Sequence, residues 1–436
     1  MHSKLRFRLP SQHRFLALLG MGLIIVGLAC GTADRASDSP SITAEPFLDV
    51  PVVVGASESG SNIASGENQD TGEAEGIFNK SKVPMVDVSK ASVPLGDIVF
   101  DTFGRYRARF LPLDTIEEDV ILELRDAIAP IYNPVYGGPD SLDWLSDYDL
   151  IMGYVSGDDA YAYPVNILNL HELVNDEIDG VSLLISYCPL CVSGVVFDRN
   201  LDGEVLLFGN TSALYQSDLV MYDHQTGSYW FQLAGEAVVG ELTGARLDLL
   251  PSMTMAWKDW KALYPDTRLL VGVGSSPTRF SGRRYGQGFS GGYKERINEN
   301  EFIFPVDREK LDQRLKSGDL VLTIEVNDAV TAYPLDRIGR VALNDEVGGL
   351  PVVVFNSVKG QSVGAFFRDV DGQVLTFEYR EESEAFIDRE TGSVWDLAGR
   401  AVEGPLAGAE LERASTRRGF WFSIAITFPN VELYTP

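Results

Sequence analysis

The sequence is poor in cysteine, histidine and basic residues. Its 436 residues include three cysteines, four histidines and 36 lysines and arginines, against 63 aspartates and glutamates. The formal net charge of -27 predicts repulsion from nucleic acid and from anionic membrane surfaces, so we expect no nucleic-acid partner. Hydrophobic residues make up 45% of the chain, which is enough for one large domain or two ordinary domains.

The apolar run near the N-terminus is shorter than a typical membrane span, which needs about 20 residues. It covers residues 15–29, follows a basic leader and ends directly before Cys30. This pattern predicts a signal peptide over residues 1–29 and a lipoprotein in which Cys30 is the lipidated first residue. An uncleaved anchor helix is the alternative. Both predict a membrane-anchored protein outside the cytoplasm, at the cell surface or in the periplasm.

The next segment, residues 30–92, carries this lipidated cysteine and is rich in Ser, Gly, Ala, Asp and Glu. Such a composition predicts a flexible acidic tether. Beyond it, two stretches resemble each other: "YDHQTGSYW" from Tyr222 matches "IDRETGSVW" from Ile387. We therefore predict an internal duplication. Its parts are a first copy at 93–272, a connecting loop at 273–301 and a second, degenerate copy at 302–436.

Both predicted copies consist of short apolar runs rich in β-branched and aromatic residues. Glycine, Asp-Gly and asparagine turns separate these runs, which favours antiparallel strands. The segment "TMAWKDWKALYP" predicts an amphipathic helix that ends near Pro265. The expected fold class is mostly β (α+β): an internally duplicated unit of short antiparallel strands with one helix per copy, in a pseudo-twofold arrangement.

The segment "SYCPLCVSG" contains Cys188 and Cys191. The predicted second copy has "FNSVKGQSV" at the corresponding place, and it also lacks counterparts of His171 and Glu172. Residues that occur in one copy and not in the other are candidates for function. We therefore predict one thiol-based site formed by Cys188, Cys191, His171 and Glu172, with residues 209–218 as a lid.

Two kinds of thiol chemistry are open for this site. A Cys-x-x-C turn can lower one thiol pKa and support a redox couple, although no thioredoxin-like βαβ pattern surrounds it. In that case Cys188 attacks, Cys191 resolves and His171 takes the proton. Alternatively, Cys188, Cys191 and His171 bind a soft metal, Cu or Zn; since no second Cys-x-x-C exists, such a site would be open.

Two further alternatives remain for the cysteine pair. Cys188 or Cys191 could act as a nucleophile with His171 as its base. The pair could also form a small permanent disulfide in a non-catalytic binding or structural module. A disulfide that closes four residues stabilises a fold by roughly 2 kcal/mol, so this is a weak position for a purely structural bridge.

The cysteines belong to a longer pattern of motifs. It runs Ala-Tyr-Pro, His-Glu-x-Val-Asn-Asp, Tyr-Cys-Pro-Leu-Cys, Leu-Tyr-x-Ser-x-Leu-x-Met-Tyr-Asp and Thr-x-Ser-x-Trp. In this pattern the chain resembles an uncharacterised prokaryotic family, a domain of unknown function. The resemblance implies no activity, but it supports a set of loop and supporting residues. These are Asn175, Asp176, Tyr215, Ser217 and Asp223.

Overall fold

The chain is mostly β-sheet in the computed structural model, which describes residues 82–274, 280–281, 292–357 and 361–435. The strands up to residue 273 are β1 (Ile98–Asp101), β2 (Phe110–Pro112), β3 (Pro134–Gly137), β4 (Leu150–Ser156), β5 (Asp159–Pro164), β6 (Leu173–Ile178), β7 (Val181–Cys188), β8 (Ser193–Asp198), β9 (Asn200–Leu201), β10 (Glu204–Val205), β11 (Phe208–Tyr215), β12 (Asp218–Asp223), β13 (Tyr229–Phe231), β14 (Glu236–Val239), β15 (Asp248–Leu249), β16 (Met253–Ala256) and β17 (Arg268–Val273).

The later strands begin at residue 320. They are β18 (Leu320–Val326), β19 (Ala329–Pro334), β20 (Val341–Val347), β21 (Leu350–Asn356), β22 (Val363–Phe367), β23 (Asp369–Val370), β24 (Gln373–Val374), β25 (Phe377–Arg380), β26 (Ala385–Asp388), β27 (Val394–Trp395), β28 (Ala401–Glu403), β29 (Thr416–Phe420) and β30 (Glu432–Leu433). The helices are α1 (Glu118–Leu124), α2 (Val165–His171), α3 (Trp257–Leu263), α4 (Tyr293–Asn298), α5 (Leu335–Ile338) and α6 (Trp421–Thr427). Short 3-10 turns cover Leu95–Asp97 and Arg308–Lys310.

Three larger sheets organise the fold. A six-stranded sheet has the order β14-β13-β12-β11-β1-β2. One eight-stranded sheet runs β30-β19-β18-β29-β8-β7-β6, and its eighth strand, β15, pairs with β8 at the side. The other runs β20-β21-β22-β16-β4-β5-β17-β3. A four-stranded sheet, β25-β26-β27-β28, and the hairpins β9-β10 and β23-β24 complete the architecture.

The expected predominance of β-structure is confirmed, but the expected arrangement, an internally duplicated unit with one helix per copy around a pseudo-twofold axis, is wrong. Six helices lie in the described residues, and α4 falls inside the segment that we predicted to be a connecting loop. Both eight-stranded sheets combine early and late strands, through β8 with β29 and β16 with β22. Mixing strands in this way covers edges that separate sheets would leave unpaired.

The predicted lid at residues 209–218 is also wrong. Most of this segment is strand β11, which pairs with β12 in the six-stranded sheet, and only Gln216 and Ser217 form the turn between them. The register shifts between Asn210 and Ala213, which marks a β-bulge. A segment whose backbone groups are used in sheet pairing is rigid compared with a free loop, so it forms a wall of the site.

The predicted signal peptide, the lipidated Cys30 and most of the predicted tether lie outside the described residues. The last part of that tether, residues 82–92, is described. Its Val83 and Val86 are buried in a hydrophobic cluster with residues of the six-stranded sheet. Within the described ranges, the helices are too short to span a membrane. The predicted domain boundaries stay predictions.

Candidate functional site

The candidate site lies where the turns of two hairpins meet. Cys188 is the last residue of β7, and Cys191 lies in the turn that leads to β8. Ser217 and Asp218 lie at the turn between β11 and β12. The Cys191 thiol donates a hydrogen bond to the Ser217 carbonyl oxygen at 3.2 Å. Since the two hairpins belong to different sheets, this contact joins the sheets at the cysteine pair.

A buried group of three side chains forms the centre of the site. One sulfur each of Cys188 and Cys191 and a carboxylate oxygen of Asp218 lie within 4.8 Å of one another. Both cysteines are free thiols, and all three side chains are buried. Within the described ranges, these three side chains form a group of donors that is compact enough to hold a metal ion. The third member of this group is Asp218 and not the predicted His171.

Burial has the largest effect on the pKa values of these three side chains. It raises the pKa of the Asp218 carboxyl to about 6, although a hydrogen bond from the Cys188 thiol partly offsets the loss of solvation. Burial also raises the pKa of the Cys188 thiol and raises the pKa of the Cys191 thiol well above its usual range. At pH 7, therefore, both sulfurs carry protons, and an ionised Asp218 carboxylate lies beside them as a proton acceptor.

The Asp218 carboxylate is fixed by contacts from two directions. The Leu233 backbone N–H donates to its Oδ2 at 3.1 Å, and the Ser193 hydroxyl lies 3.4 Å from its Oδ1. The same Ser193 hydroxyl donates to Gln232 Oε1 at 3.0 Å. These contacts orient the carboxylate towards the thiols, because they occupy its other lone pairs.

Glu172 is a second buried carboxyl beside the cysteines. It follows the last residue of α2 with φ 59°, a left-handed conformation that turns the chain into β6. Its Oε2 accepts a hydrogen bond from the Asn210 amide at 2.7 Å. Burial raises the pKa of the Glu172 carboxyl to about 8, so the group is mostly protonated at pH 7.

Asn210 orients Glu172 and is itself held on both of its backbone groups. Its N–H donates to Asp126 Oδ1 at 2.8 Å, and its carbonyl oxygen accepts from the Asp126 N–H at 2.8 Å. The Tyr222 hydroxyl donates to Asp126 Oδ2 at 2.8 Å. The position of the Glu172 carboxyl therefore depends on a chain of contacts that extends away from the cysteines.

Several residues around the site have backbone angles that L-amino acids rarely adopt. Besides Glu172, the left-handed conformation occurs at Val192 (φ 54°), Ser212 (φ 63°), Gln216 (φ 52°) and Ser217 (φ 63°). Such conformations cost on the order of 1 kcal/mol or more each, and most for a β-branched residue such as Val192. They persist because the surrounding sheets fix both hairpin turns.

A cavity of about 250 Å³ reaches Cys188. Its polar lining includes Glu172, Asn210 and Asn169, and the ion pair of Arg109 with Asp101 (3.4 Å) lies on the same wall. The rest of the lining is mainly apolar. Cys191 and Asp218 do not line this cavity, so Cys188 is the sulfur that a small molecule would meet first.

His171 is not a member of the compact thiol group. Its Nδ1 lies 2.7 Å from the Ala129 carbonyl oxygen, and its ring packs against Phe280 with a centroid distance of 5.4 Å. His171 and Glu172 are neighbours in sequence, but Glu172 lines the cavity at Cys188 and His171 does not. The proton acceptor beside the sulfurs is therefore Asp218.

The chain matches the model of a known protein family over most of its length. The family model described as "Protein of unknown function (DUF3179)" matches residues 125–431. The chain belongs to the DUF3179 family. This confirms the predicted membership of an uncharacterised domain family. Neither the curated proteins nor the solved structures contain a match to the chain.

Within the DUF3179 region, two of the predicted supporting residues hold the fold together. Asn175 exchanges hydrogen bonds with the Phe208 backbone, donating to its carbonyl oxygen at 2.9 Å and accepting from its N–H at 2.8 Å. Asp176 accepts hydrogen bonds from the hydroxyls of Tyr163 (2.7 Å) and Tyr136. Asn175 joins β6 to β11, and thereby fixes the strand that carries Asn210.

The other three supporting residues divide between the site and the scaffold. Ser217 belongs to the site, because its carbonyl oxygen binds the Cys191 thiol. Asp223 accepts hydrogen bonds from the Trp230 indole (2.9 Å) and the Thr226 N–H (2.6 Å), which fixes a turn. Tyr215 lines a separate cavity of about 580 Å³, which neither cysteine lines.

The predicted motif pattern did not identify three residues that the structure brings to the site. Asp218, Asn210 and Asn169 all lie inside the matched region, yet none stands at a specified position of the predicted pattern. The one available signal was for Asp218, which directly follows Ser217 and precedes an apolar strand. A carboxylate at the start of a buried strand needs a polar partner, which is a reason to consider it.

Proposed function

We propose that the protein is a thiol-dependent oxidoreductase in which Cys188 and Cys191 cycle between dithiol and disulfide. The observation that supports this function best is the group formed by the two free thiols and the Asp218 carboxylate within 4.8 Å. The carboxyl pKa of about 6 leaves Asp218 ionised at neutral pH and able to accept a proton. The cavity at Cys188 provides access for a substrate.

The first step forms a mixed disulfide. Asp218 takes the proton of the Cys188 thiol as the sulfur attacks one sulfur of a substrate disulfide. The new bond joins Cys188 Sγ to that sulfur, and the substrate S–S bond breaks. The second substrate sulfur leaves with the electron pair of that bond and takes up the proton from Asp218, so that one thiol is released.

The second step closes the protein disulfide. Asp218, again ionised, takes the proton of Cys191, and the Cys191 sulfur attacks Cys188 Sγ. The mixed disulfide breaks, and its substrate sulfur leaves with the electron pair of that bond and takes up the proton from Asp218, which releases a second thiol. In total, a substrate disulfide is reduced to two thiols while the Cys188–Cys191 dithiol is oxidised. A thiol reductant restores the dithiol, and the reverse reaction oxidises thiols.

A redox titration of the purified full chain tests this function. The protein is equilibrated in thiol–disulfide buffers of increasing potential, and the state of the Cys188–Cys191 peptide is read by mass spectrometry. We expect a midpoint between about -270 and -120 mV, the range of exchange-active dithiols. A midpoint below about -300 mV would contradict the proposal and favour the alternative, a permanent disulfide in a binding or structural module. The Cys188→Ser variant is the control and has no such transition.

The same three donors make a soft-metal site the second candidate. Thiolate sulfur suits Cu(I) and Zn(II), and Zn(II) also accepts carboxylate oxygen, so Cys188, Cys191 and Asp218 fit either ion. A bound cation would hold both sulfurs as thiolates and offset the burial that raises their pKa. Elemental analysis of the full chain, purified without chelator, tests this candidate. One equivalent of metal, lost in Cys188→Ser, supports it, whereas metal-free protein with an exchange-active midpoint rejects it.

We also infer that a lipid on Cys30 anchors the protein outside the cytoplasm. The basic leader and the apolar run that ends at Cys30 support this location. An oxidising compartment is compatible with a dithiol that cycles. In cell fractionation, we expect the Cys30→Ala variant to leave the membrane fraction or to remain as an unprocessed precursor. A Cys30→Ala chain of mature length that stays membrane-bound would contradict the lipid anchor.

A further inference from the structure

The depth of Cys188 limits which substrates can reach it. Its side chain is 1% exposed. A sulfur atom of the substrate must therefore pass through the cavity of about 250 Å³ to reach it. A disulfide bond forms at about 2.05 Å between sulfurs, so the substrate sulfur must enter the cavity fully. Two segments of a folded protein chain do not fit into that volume.

The volume also sets an approximate substrate size. A cavity of about 150 Å³ inside a protein binds benzene. By proportion, a cavity of about 250 Å³ holds a molecule of about ten non-hydrogen atoms. Its walls include Phe103, Ile128, Leu170 and Leu214, which favour an aliphatic body.

One polar group in this cavity, the Asn169 side-chain oxygen, has no hydrogen-bond partner among the residues that the structure describes. Asn169 is 6% exposed, lines the cavity, and its Oδ1 makes no hydrogen bond in the described part of the chain. Leaving a buried acceptor unsatisfied costs about 1–3 kcal/mol, which a ligand with a hydrogen-bond donor would recover. Asn169 lies in the last turn of α2 and Glu172 directly follows that helix, and both side chains line the cavity.

The charges of the cavity are already compensated. Arg109 pairs with Asp101, and the Arg109 side chain is 43% exposed, which places this pair towards solvent. The Glu172 carboxyl is mostly protonated at pH 7 because burial raises its pKa to about 8. A ligand therefore needs no charge to bind, and an uncharged hydrogen-bond donor suits the interior.

Together these observations identify the substrate class of the proposed function, on which the inference rests. We infer that Cys188 exchanges with an uncharged, low-molecular-weight aliphatic disulfide, and that the Asn169 amide binds a hydroxyl or amide group of that molecule. In the exchange, the Cys188 proton passes to Asp218, the Cys188–substrate S–S bond forms, the substrate S–S bond breaks, and the leaving sulfur takes up the proton. Asn169 is a specificity-determining residue and takes no part in the bond changes.

The test compares four oxidants on the reduced full chain of the Cys191→Ser variant, in which the mixed disulfide at Cys188 accumulates. They are bis(2-hydroxyethyl) disulfide, diethyl disulfide, glutathione disulfide and insulin, and intact mass follows each reaction. We expect the hydroxyethyl compound to react at least roughly tenfold faster than glutathione disulfide or insulin. With Asn169→Leu, its rate is expected to fall by roughly tenfold, a change that corresponds to about 1.4 kcal/mol, while the rate of diethyl disulfide stays the same.

The outcomes separate the two levels of the proposal. Reaction of glutathione disulfide or insulin as fast as the small disulfides overturns the substrate class and leaves the oxidoreductase function in place. An unchanged preference for the hydroxyethyl compound in Asn169→Leu overturns the role of Asn169. Failure of all four oxidants to react overturns the proposed function and this inference with it. The four-oxidant comparison does not depend on the folding of the Asn169 variant.

Discussion

The Asp218→Asn variant is expected to exchange thiols with a small disulfide roughly 10²–10³-fold more slowly than the native protein at pH 7. A positioned general base contributes rate factors of this size. In the native protein, the rate rises through about pH 6 as the Asp218 carboxyl ionises. In the variant this rise disappears, and the rate increases only in the alkaline range, where the thiols ionise without help. Stopped-flow measurement of mixed-disulfide formation from pH 5 to pH 9 checks both profiles.

Loss of folding does not explain this effect. Because burial raises the pKa of Asp218 to about 6 from 3.8, the folded state is destabilised as pH rises from about 4 to 6, and asparagine removes this cost. The variant should therefore be at least as stable at pH 7. Asp223→Asn is a matched control: it changes a buried carboxyl on the same strand that binds Trp230 instead of the thiols. A native pH profile in Asp218→Asn would show that another group accepts the proton.

The Glu172→Gln variant is expected to be more stable than the native protein at pH 7 by about 3 kcal/mol and equally stable at pH 4. The folded-state pKa of about 8 lies above the ordinary glutamate pKa of 4.5, so the carboxyl contributes its full stability below about pH 4.5. That stability is lost as pH rises from 4.5 to 8. Glutamine stays neutral throughout, and its carbonyl oxygen can still accept the hydrogen bond from Asn210.

Chemical denaturation at pH 4 and pH 7 measures this difference. Glu177→Gln is the matched control, because Glu177 lies on strand β6, which directly follows Glu172, but is exposed, so its replacement should leave the pH dependence unchanged. If Glu172→Gln destabilises the protein equally at both pH values, the Glu172 carboxyl is ionised in the folded state, and its description as a neutral group beside Cys188 is incorrect.

The sequence predicted the parts of the site that depend on short segments. Cys188 and Cys191 are three residues apart, and a strand–turn–strand pattern around them was readable, so their proximity followed from local structure. Glu172 lies beside the cavity as a member of the predicted group. Asp218 was missed because it reaches the thiols through a contact between two hairpin turns, which no local pattern encodes.

The remaining differences have similar physical causes. His171 was grouped with the thiols because the second copy lacks counterparts of both, yet its Nδ1 lies beside the Ala129 carbonyl oxygen and its ring packs against Phe280. Residues 209–218 were predicted to form a lid over the thiol group. Their backbone instead pairs within a sheet, where Asn210 and Ser212 use buried hydrogen bonds. The duplicated arrangement failed because strand pairing across the chain, such as β8 with β29, is set by tertiary structure.

The pairing of β8 with β29 also sets the order in which the site is completed. The Phe420 N–H donates to the Cys191 carbonyl oxygen at 2.8 Å, so residues near the C-terminus fix the turn that contains this cysteine. During synthesis, Cys188 and Cys191 leave the ribosome long before residue 420. Until that residue arrives, the turn lacks its final hydrogen bond and protein-sized oxidants can reach both sulfurs, whereas the finished fold leaves the small cavity at Cys188 as the access. The redox state in which the site closes is therefore determined during assembly.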